Sequence, residues 1–237
     1  MAADAYPSKP VRWVVPFPPG GGTDIIARLV GAKLAENLKQ QVVIENRPGA
    51  STIIGTEIVA KSAPDGYTLL MGANGTNAIN PSLYPRLQVD PAKDLAAVNM
   101  VASSPMILVT HPSVTANSIR ELVVLAKAKP GSINFASSGS GSTAHLSSEL
   151  FKSMAGVNLV HIPYKGTGQS MVDLVAGHVQ MQLSSMPAAI QHVRTGRLRM
   201  IAQTGKRCSA AAPDAPTMGE SGLPGFVVSS GFGMLAP

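Results

Sequence analysis

The sequence is poor in cysteine, in aromatic residues and in charge. Of its 237 residues, one is cysteine, 4% are aromatic and 14% are charged. The single thiol, Cys208, excludes a disulfide framework or a cysteine-based zinc site within one chain. No run reaches the roughly 18 apolar residues that a membrane-spanning helix needs. With 45% hydrophobic residues, these features predict a folded globular chain of one or two domains rather than a disordered or membrane-embedded one.

Positive charge exceeds negative charge but is not concentrated. The chain has 19 Lys and Arg residues against 13 Asp and Glu residues, a net charge of +6. Its densest basic cluster, residues 194–207, contains no interleaved aromatic side chain. Because single-stranded nucleic-acid grooves combine basic and stacking aromatic residues, we interpret the excess charge as an attraction for small anions rather than for nucleic acid.

The five histidines are far apart in the sequence and form none of the short spacings that bind metals. We interpret each of them as an isolated surface or helix-end residue, and we predict no metal and no cofactor. They are His111, His145, His161, His178 and His192.

Short apolar runs alternate with segments of helical periodicity along the chain, which predicts an α/β fold with mostly parallel sheets. Ser118 and Glu121 have the spacing of a capping box at a helix start. Separate strands are predicted over Val98–Ala102 and Met106–Thr110.

Three predicted strand–loop–helix junctions place glycine beside hydroxyl side chains: Gly20–Asp24, Ser137–Ser142 and Lys165–Gln169. Thr23 or Asp24 is the expected N-cap of the first of these helices. Open α/β sheets bind ligands at such junctions, because glycine admits a close approach and unpaired N–H groups at a helix N-terminus favour anions. The three loops together favour an anion-binding site.

Catalytic alternatives have weaker support. Gly139–Ala144 matches the dinucleotide pattern G-x-G-x-x-A, but the next strand ends at Tyr164 and Lys165 follows it instead of an acid. No G-x-S-x-G nucleophile elbow occurs, and Asp24 is the only carboxylate within a glycine loop. An α/β enzyme acting on a small carboxylate or phosphate ester stays open as the alternative to a binding protein.

At these loops the sequence resembles the Bug family, the periplasmic solute receptors of tripartite tricarboxylate transporters. The match covers nearly the whole chain. The stretches that carry it are Lys9–Arg28, Val42–Ser51, Ala63–Gly72, Ile133–Phe151, His161–Val179 and Pro213–Phe226.

The resemblance implies a two-lobed periplasmic binding protein of the Venus-flytrap, type II-like kind, with a mostly parallel, helix-flanked sheet in each lobe. Residues 1–103 plus 222–237 would form the first lobe, and residues 104–221 the second. Such a protein has no catalytic residues. It binds a small mono- or dicarboxylate in the cleft between its lobes and delivers the ligand to membrane permease subunits.

The resemblance also implies which residues contact the ligand. Ser184, Ser185 and Met186 would face its distal end. The contacts in the first lobe are Phe17, Gly21, Thr23, Asp24, Asn74 and Thr76, and those in the second lobe are Ser137, Gly139, Ser140, Ser142, Gly166 and Thr167.

Both termini differ from a complete precursor of that family. We expect no leader in the N-terminal residues, because Ala-Ala-Asp-Ala after Met1 is typical of a mature exported chain from which the signal peptide has been removed. Family members continue beyond the point matching Pro237 with a further helical segment. We therefore expect a truncated first lobe with uncovered apolar surface that favours self-association.

Overall fold

The computed structural model describes residues 6–237, which form two compact units. Unit 1 comprises residues 6–102 and Gly231–Pro237, and unit 2 comprises Ser103–Ser230. The predicted processed N-terminus, residues 1–5, lies outside the described residues. Among the helices of residues 6–237, none is long and apolar enough to cross a membrane.

Nine strands and seven α-helices are described. The strands are β1 (Val11–Val15), β2 (Val42–Asn46), β3 (Thr68–Ala73), β4 (Ala96–Thr110), β5 (Asn134–Ser137), β6 (Val160–Pro163), β7 (Met181–Ser185), β8 (Arg199–Gln203) and β9 (Ser229–Ala236). The helices are α1 (Gly22–Leu38), α2 (Ile53–Ala60), α3 (Asn80–Leu83), α4 (Ile119–Ala128), α5 (Thr143–Ala155), α6 (Thr167–Val175) and α7 (Met186–Arg194).

Unit 1 is built on strands in the order β2-β1-β3-β9. Strand β1 is parallel to β2 and β3, and β9 is antiparallel to β3. Trp13 of β1, Met71 of β3 and Phe232 of β9 are buried together with Ala27 of α1. The helix therefore covers one face of a mixed sheet.

Unit 2 has strands in the order β4-β7-β5-β6, with β8 on the other side of β4. Strand β5 is parallel to β6 and β7, whereas β4 is antiparallel to β7 and β8. Phe135, Phe151 and Phe226 are fully or almost fully buried in its core. The predicted α/β class is confirmed, with antiparallel strands added to the parallel ones in both units.

The residues that join the two units differ slightly from the sequence expectation. The chain passes from one unit to the other between residues 102 and 103 and between residues 230 and 231, whereas the sequence expectation was 103/104 and 221/222. Leu223 and Phe226 pack into the core of unit 2 with Met218, and the Val228 N–H donates to Thr204 O at 3.1 Å. These contacts hold residues 222–230 in unit 2.

The two strands predicted on either side of Pro105 are one strand, β4, of 15 residues. Its ladder with β7 begins at Met106, opposite Ser185, and its ladder with β8 begins at Ile107. Proline lacks an N–H donor and normally interrupts a ladder. Pro105 is tolerated because it immediately precedes the positions that pair with β7 and β8.

The helix starts confirm one cap prediction and correct another. The Ser118 hydroxyl accepts the Glu121 N–H at 3.2 Å, as the capping box predicts. In contrast, the N-cap of α1 is Gly21, and Thr23 and Asp24 lie inside its first turn. The Asp24 carboxylate reaches back to the Gly20 N–H at 3.0 Å, so it binds the loop before the helix instead of capping it.

A strained turn follows β2. Ala50, Ser51 and Thr52 have φ values of 44°, 53° and 80°, in the left-handed region that non-glycine residues rarely adopt. The Asn80 side-chain amide donates to Ser51 O at 2.6 Å and to Thr52 Oγ1 at 3.0 Å. Tertiary contacts thus stabilise a conformation that the local sequence disfavours.

We expect Ala50→Gly to raise the melting temperature. Ala50 is exposed, so only a methyl group is lost. The left-handed conformation costs a non-glycine residue about 1–2 kcal/mol, whereas glycine costs about 0.4–1 kcal/mol through unfolded-state entropy. The net gain of roughly 0.5–1 kcal/mol corresponds to about 1–4 °C.

The matched control is Ala32→Gly, at an exposed position inside α1. Glycine there should lower stability by about 1 kcal/mol. Equal destabilisation by the two substitutions in a thermal melt would show that the turn at Ala50 is not strained.

Candidate functional site

The glycine loop of unit 1 connects β1 to α1 and already holds a carboxylate of the chain itself. The Asp24 side chain is 5% exposed. Its Oδ2 accepts the Gly20 N–H at 3.0 Å, while its Oδ1 accepts from Arg28 Nε at 3.0 Å and from Asn46 Nδ2 at 2.9 Å. Asp24 therefore accepts a hydrogen bond from a donor of this loop that we expected to be available for a ligand.

The environment of Asp24 stabilises its ionised form. Burial raises the pKa of its carboxyl group, but hydrogen bonds from Arg28, the Gly20 N–H and Asn46 outweigh burial, so the net pKa lies below its ordinary value of 3.8. At neutral pH the loop contains a fixed negative charge that Arg28 neutralises.

The other predicted residues of unit 1 contact different partners. Phe17 is half-buried, and its carbonyl accepts from Asn46 Nδ2 at 3.0 Å. Thr23 is 7% exposed. Asn74 precedes a π-helical turn, Gly75–Ile79, and its Oδ1 accepts the Gly231 N–H at 2.9 Å. The Thr76 hydroxyl is buried without a hydrogen-bond partner among residues 6–237.

The second glycine loop joins β5 to α5 in unit 2. Gly139 has a φ of 126°, and a Cβ atom on it would lie 3.3 Å from the Tyr164 carbonyl oxygen. Ser142 is the N-cap of α5, and its hydroxyl accepts the His145 N–H at 3.2 Å. A side chain at position 139 would therefore need a backbone conformation that L residues rarely adopt, and it would force the loop or the Tyr164 carbonyl to shift.

The chain itself uses three N–H groups of this loop. Gly139 N–H donates to Ser137 Oγ, Gly141 N–H donates to His145 Nδ1, and Ser142 N–H donates to Gly139 O, each at 3.1 Å. The expectation of unpaired amides is wrong for these three, because nearby side chains and a carbonyl fold back onto them. Ser138 and the exposed Ser140 make no hydrogen bond to any other described residue.

The third glycine loop lies beside the second. Strand β6 is parallel to β5, with Ser137 opposite Pro163, so both loops leave the sheet at the same edge. Gly166 is buried and is the N-cap of α6, whose first residue is Thr167. The structure thus brings together the predicted residues of unit 2, which are Ser137, Gly139, Ser140, Ser142, Gly166 and Thr167.

The carboxyl end of β7 reaches the same edge. Strand β7 is parallel to β5 and ends at Ser185, which is the N-cap of α7. Ser184 and Met186 are 1% and 4% exposed. Three helix N-termini, those of α5, α6 and α7, therefore follow parallel strands at one edge of unit 2.

Two histidines adjoin the second loop, and the interpretation of all five as isolated is wrong for them. The rings of His145 on α5 and His161 on β6 stack with their centroids 4.1 Å apart. His161 also stacks on Phe135, at 4.8 Å. The helix folds over the strand, and this brings together residues that are separated in sequence. The signal in the sequence was the proximity of each histidine to a glycine loop.

The His161 ring is linked to the loop by a hydrogen bond. Its Nε2 lies 2.7 Å from Ser137 Oγ, the atom that accepts the Gly139 N–H. Burial lowers the pKa of His161, and the neighbouring His145 and Lys152 lower it further against an opposing effect of Glu149. His161 is thus biased toward its neutral form.

A serine bonded to a histidine also occurs in hydrolases, but this pair lacks their arrangement. Ser137 is fully buried. The carboxylate of Glu149 lies 4.0 Å from Nε2 of His145, and it makes no hydrogen bond to His161 among the described residues. A hydrolase needs an accessible nucleophile and an oriented base. Within residues 6–237, no group of three or more His, Cys, Asp or Glu residues is arranged to hold a metal ion.

Known proteins share this architecture. The profile of a family described as "Tripartite tricarboxylate transporter family receptor" matches residues 26–237. Protein BugT of Bordetella pertussis is 43% identical over 238 residues, covering 100% of this chain and 73% of BugT.

Two solved structures superpose closely on the chain. R. palustris Rpa4515 with adipate has a TM-score of 0.95 and 38% identity, covering 98% of this chain and 78% of that one. The periplasmic binding protein BugD has a TM-score of 0.92 and 36% identity, covering 98% of this chain and 77% of that one.

Proposed function

Because the chain belongs to the family of tripartite tricarboxylate transporter receptors, we propose that it binds a small mono- or dicarboxylate at its glycine loops and delivers this ligand to the permease of such a transporter. The family consists of receptors rather than enzymes. The observation that carries the proposal is the meeting of three helix N-termini at one edge of the unit 2 sheet.

The chemistry of that edge suits a carboxylate. Helix N-termini concentrate partial positive charge and N–H donors. Ser138 and Ser140 offer donors that no other described residue uses, and the net charge of +6 favours an anion. The similar Rpa4515 structure contains adipate, which makes adipate the first probe to use.

We propose one set of ligand contacts in unit 2 and another in unit 1. The proposal for unit 2 places the carboxylate against the two adjacent glycine loops and lets Ser184, Ser185 and Met186 face the rest of the ligand. The contacts proposed in unit 2 are Ser137, Gly139, Ser140, Ser142, Gly166 and Thr167, and those proposed in unit 1 are Phe17, Gly21, Thr23, Asp24, Asn74 and Thr76.

The related BugD is a periplasmic binding protein. We propose the same compartment for this chain, since a receptor must meet its ligand outside the membrane that the permease crosses. Fractionation of cells that express the protein from its own gene would test this location.

Carboxylate binding should appear as a thermal shift that needs no metal. A ligand at 100 times its Kd stabilises the folded state by about 2.7 kcal/mol, or roughly 5–10 °C for a chain of this size. Adipate and malate should produce such a shift with and without excess EDTA, because backbone and hydroxyl donors need no bridging ion.

The same samples test the alternative of an enzyme. Adipate recovered after long incubation should be chemically unchanged, and inorganic phosphate should shift the melt less than a carboxylate. Consumption of the ligand, or a shift produced by phosphate and abolished by EDTA, would contradict a metal-independent carboxylate receptor.

We also propose that unit 1 mediates self-association. The first five residues of β4, residues 96–100, are exposed, and they include Val98 at 54% and Met100 at 66% exposure. Exposed apolar strand residues favour pairing with another chain. Val98→Lys with Met100→Lys should convert a concentration-dependent dimer to a monomer in sedimentation experiments, and a wild type that is monomeric at every concentration would refute the proposal.

A further inference from the structure

The stacked histidines behind the second glycine loop differ in their hydrogen bonds. The Gly141 N–H donates to Nδ1 of His145 at 3.1 Å, so that nitrogen carries a lone pair. A proton on Nδ1 of His145 would break a bond that the loop uses.

His161 can take up a proton without losing its bond. Its Nε2 lies 2.7 Å from Ser137 Oγ. A neutral ring that carries its proton on Nδ1 accepts the serine proton at this nitrogen, whereas a charged ring must donate to the serine oxygen. Both forms keep the contact, and only the direction of the hydrogen bond changes.

The direction of that bond decides what Ser137 does for the loop. Ser137 Oγ lies 3.1 Å from both the N–H and the carbonyl oxygen of Gly139. When the serine donates to His161, it can only accept the Gly139 N–H. When His161 donates, the serine proton is free for the Gly139 carbonyl, and two hydrogen bonds then hold Gly139 in its conformation.

The positive charge of a protonated His161 would also favour carboxylate binding. From α5, the groups that face His161 are His145, Glu149 and Lys152, and from β5 they are the uncharged Phe135 and Ser137. Lys152 is paired with Glu149 at 2.8 Å. A proton on His161 therefore adds net positive charge beside the loop that we propose holds a carboxylate.

From these contacts we propose that His161 is a positioning residue of the carboxylate site. Its neutral ring carries the proton on Nδ1 in the free protein, and it takes up a second proton when a carboxylate binds and so fixes Gly139 through Ser137. The inference rests on the proposed function. By linkage, ligand binding and protonation strengthen each other, so affinity rises as pH falls through the range in which His161 titrates. The pKa of the free protein is lowered from 6.5, which places this range below pH 6.5 before ligand is added.

The first arm of the test uses the ligand-free protein. Ring-nitrogen NMR of the wild type, assigned with His161→Gln, should show the neutral His161 ring with its proton on Nδ1 and a titration midpoint of His161 below pH 6.5. A neutral His161 ring with its proton on Nε2 would overturn the inference, whatever ligand the protein binds, because that ring already donates to Ser137 without taking up a proton.

The second arm measures the Kd of adipate at pH 7.5 and pH 5.5. The wild type should bind about tenfold more tightly at pH 5.5, and adipate should move the titration midpoint of His161 upward. His161→Gln keeps an amide that can bond Ser137 but cannot titrate, so its Kd should be similar at the two pH values. His178→Gln is the matched control, since His178 is exposed and pairs with Asp173, and it should keep the wild-type dependence on pH.

The outcomes separate the two claims. A wild type that binds neither adipate nor malate at either pH contradicts the proposed function, while the NMR arm still decides the tautomer of His161. A wild type that binds adipate with the same dependence on pH as His161→Gln overturns the role of His161 and leaves the receptor function intact.

Discussion

Gly139→Val should abolish carboxylate binding in a protein that still folds. Gly139 has a φ of 126°, and any Cβ atom would lie 3.3 Å from the Tyr164 carbonyl. A branched side chain cannot adopt this conformation without moving the loop, and it would also fill the space in which a ligand approaches the backbone. We expect affinity for adipate to fall at least about a hundredfold, which is about 2.7 kcal/mol.

Two control variants separate loss of the site from general strain. Gly196 also has a positive φ, of 71°, but has open space around it, so Gly196→Val should lower stability and leave affinity unchanged. Lys165→Ala should be mild, because an exposed lysine contributes little. Normal affinity in folded Gly139→Val would remove the second loop from the site.

The third glycine loop differs from the second in its backbone conformation. Gly166 has a φ of 171°, an extended conformation that any residue can adopt. Gly166→Val should therefore act through crowding of the buried loop rather than through backbone strain, and its effect on stability should be smaller than that of Gly139→Val. The two substitutions were equivalent from the sequence, and the backbone conformation distinguishes them.

Asp24→Asn should lower the melting temperature by about 3–12 °C at pH 7. The ionised carboxylate accepts hydrogen bonds from Gly20, Arg28 and Asn46. Asparagine offers one acceptor oxygen and no charge to the same donors. Charge-assisted hydrogen bonds of this kind contribute about 1.5–3 kcal/mol, and each kcal/mol corresponds to about 2–4 °C at this size.

The loss of stability caused by Asp24→Asn should become smaller at low pH. The pKa of Asp24 is lower in the folded chain than its ordinary value of 3.8. The stabilisation is therefore complete above that value and is lost as pH falls through the lower folded pKa. The difference in melting temperature between wild type and Asp24→Asn should be constant from pH 7 to pH 5 and should narrow below about pH 4.

Glu36→Gln is the matched control for Asp24→Asn, because Glu36 lies on the same helix and is exposed. It should change the melting temperature by less than about 1 °C. A difference between wild type and Asp24→Asn that persists unchanged to pH 3 would show that the charge of Asp24 does not stabilise the loop.

The pattern of apolar residues was enough to predict most elements of the fold, because periodicity and turn residues are local properties. It could not predict that β4 continues through Pro105, since that depends on where the partner strands begin. It also could not predict the left-handed turn at Ala50, which Asn80 stabilises through contacts across unit 1.

The sequence was enough to predict which loops form the candidate site. It was not enough to predict the contacts between side chains within the site. The glycines and hydroxyls of unit 2 were found because their spacing relative to strands is visible in the sequence. The pairing of His145 with His161 was not, because it requires α5 to lie over β6. Likewise, Asp24 was expected to cap a helix, and only the fold brings Arg28 and Asn46 to its carboxylate.

The most direct test of the receptor account is a titration of the isotopically labelled protein with adipate, followed through its backbone amide resonances. The account predicts saturable shifts at Ser138–Ser142 and at Gly166–Thr167, with the amides of Ser138 and Ser140 moving most because their N–H groups are free to bind a carboxylate. Saturable binding that leaves these amides unmoved and shifts only residues away from the carboxyl edge of the unit 2 sheet would contradict it.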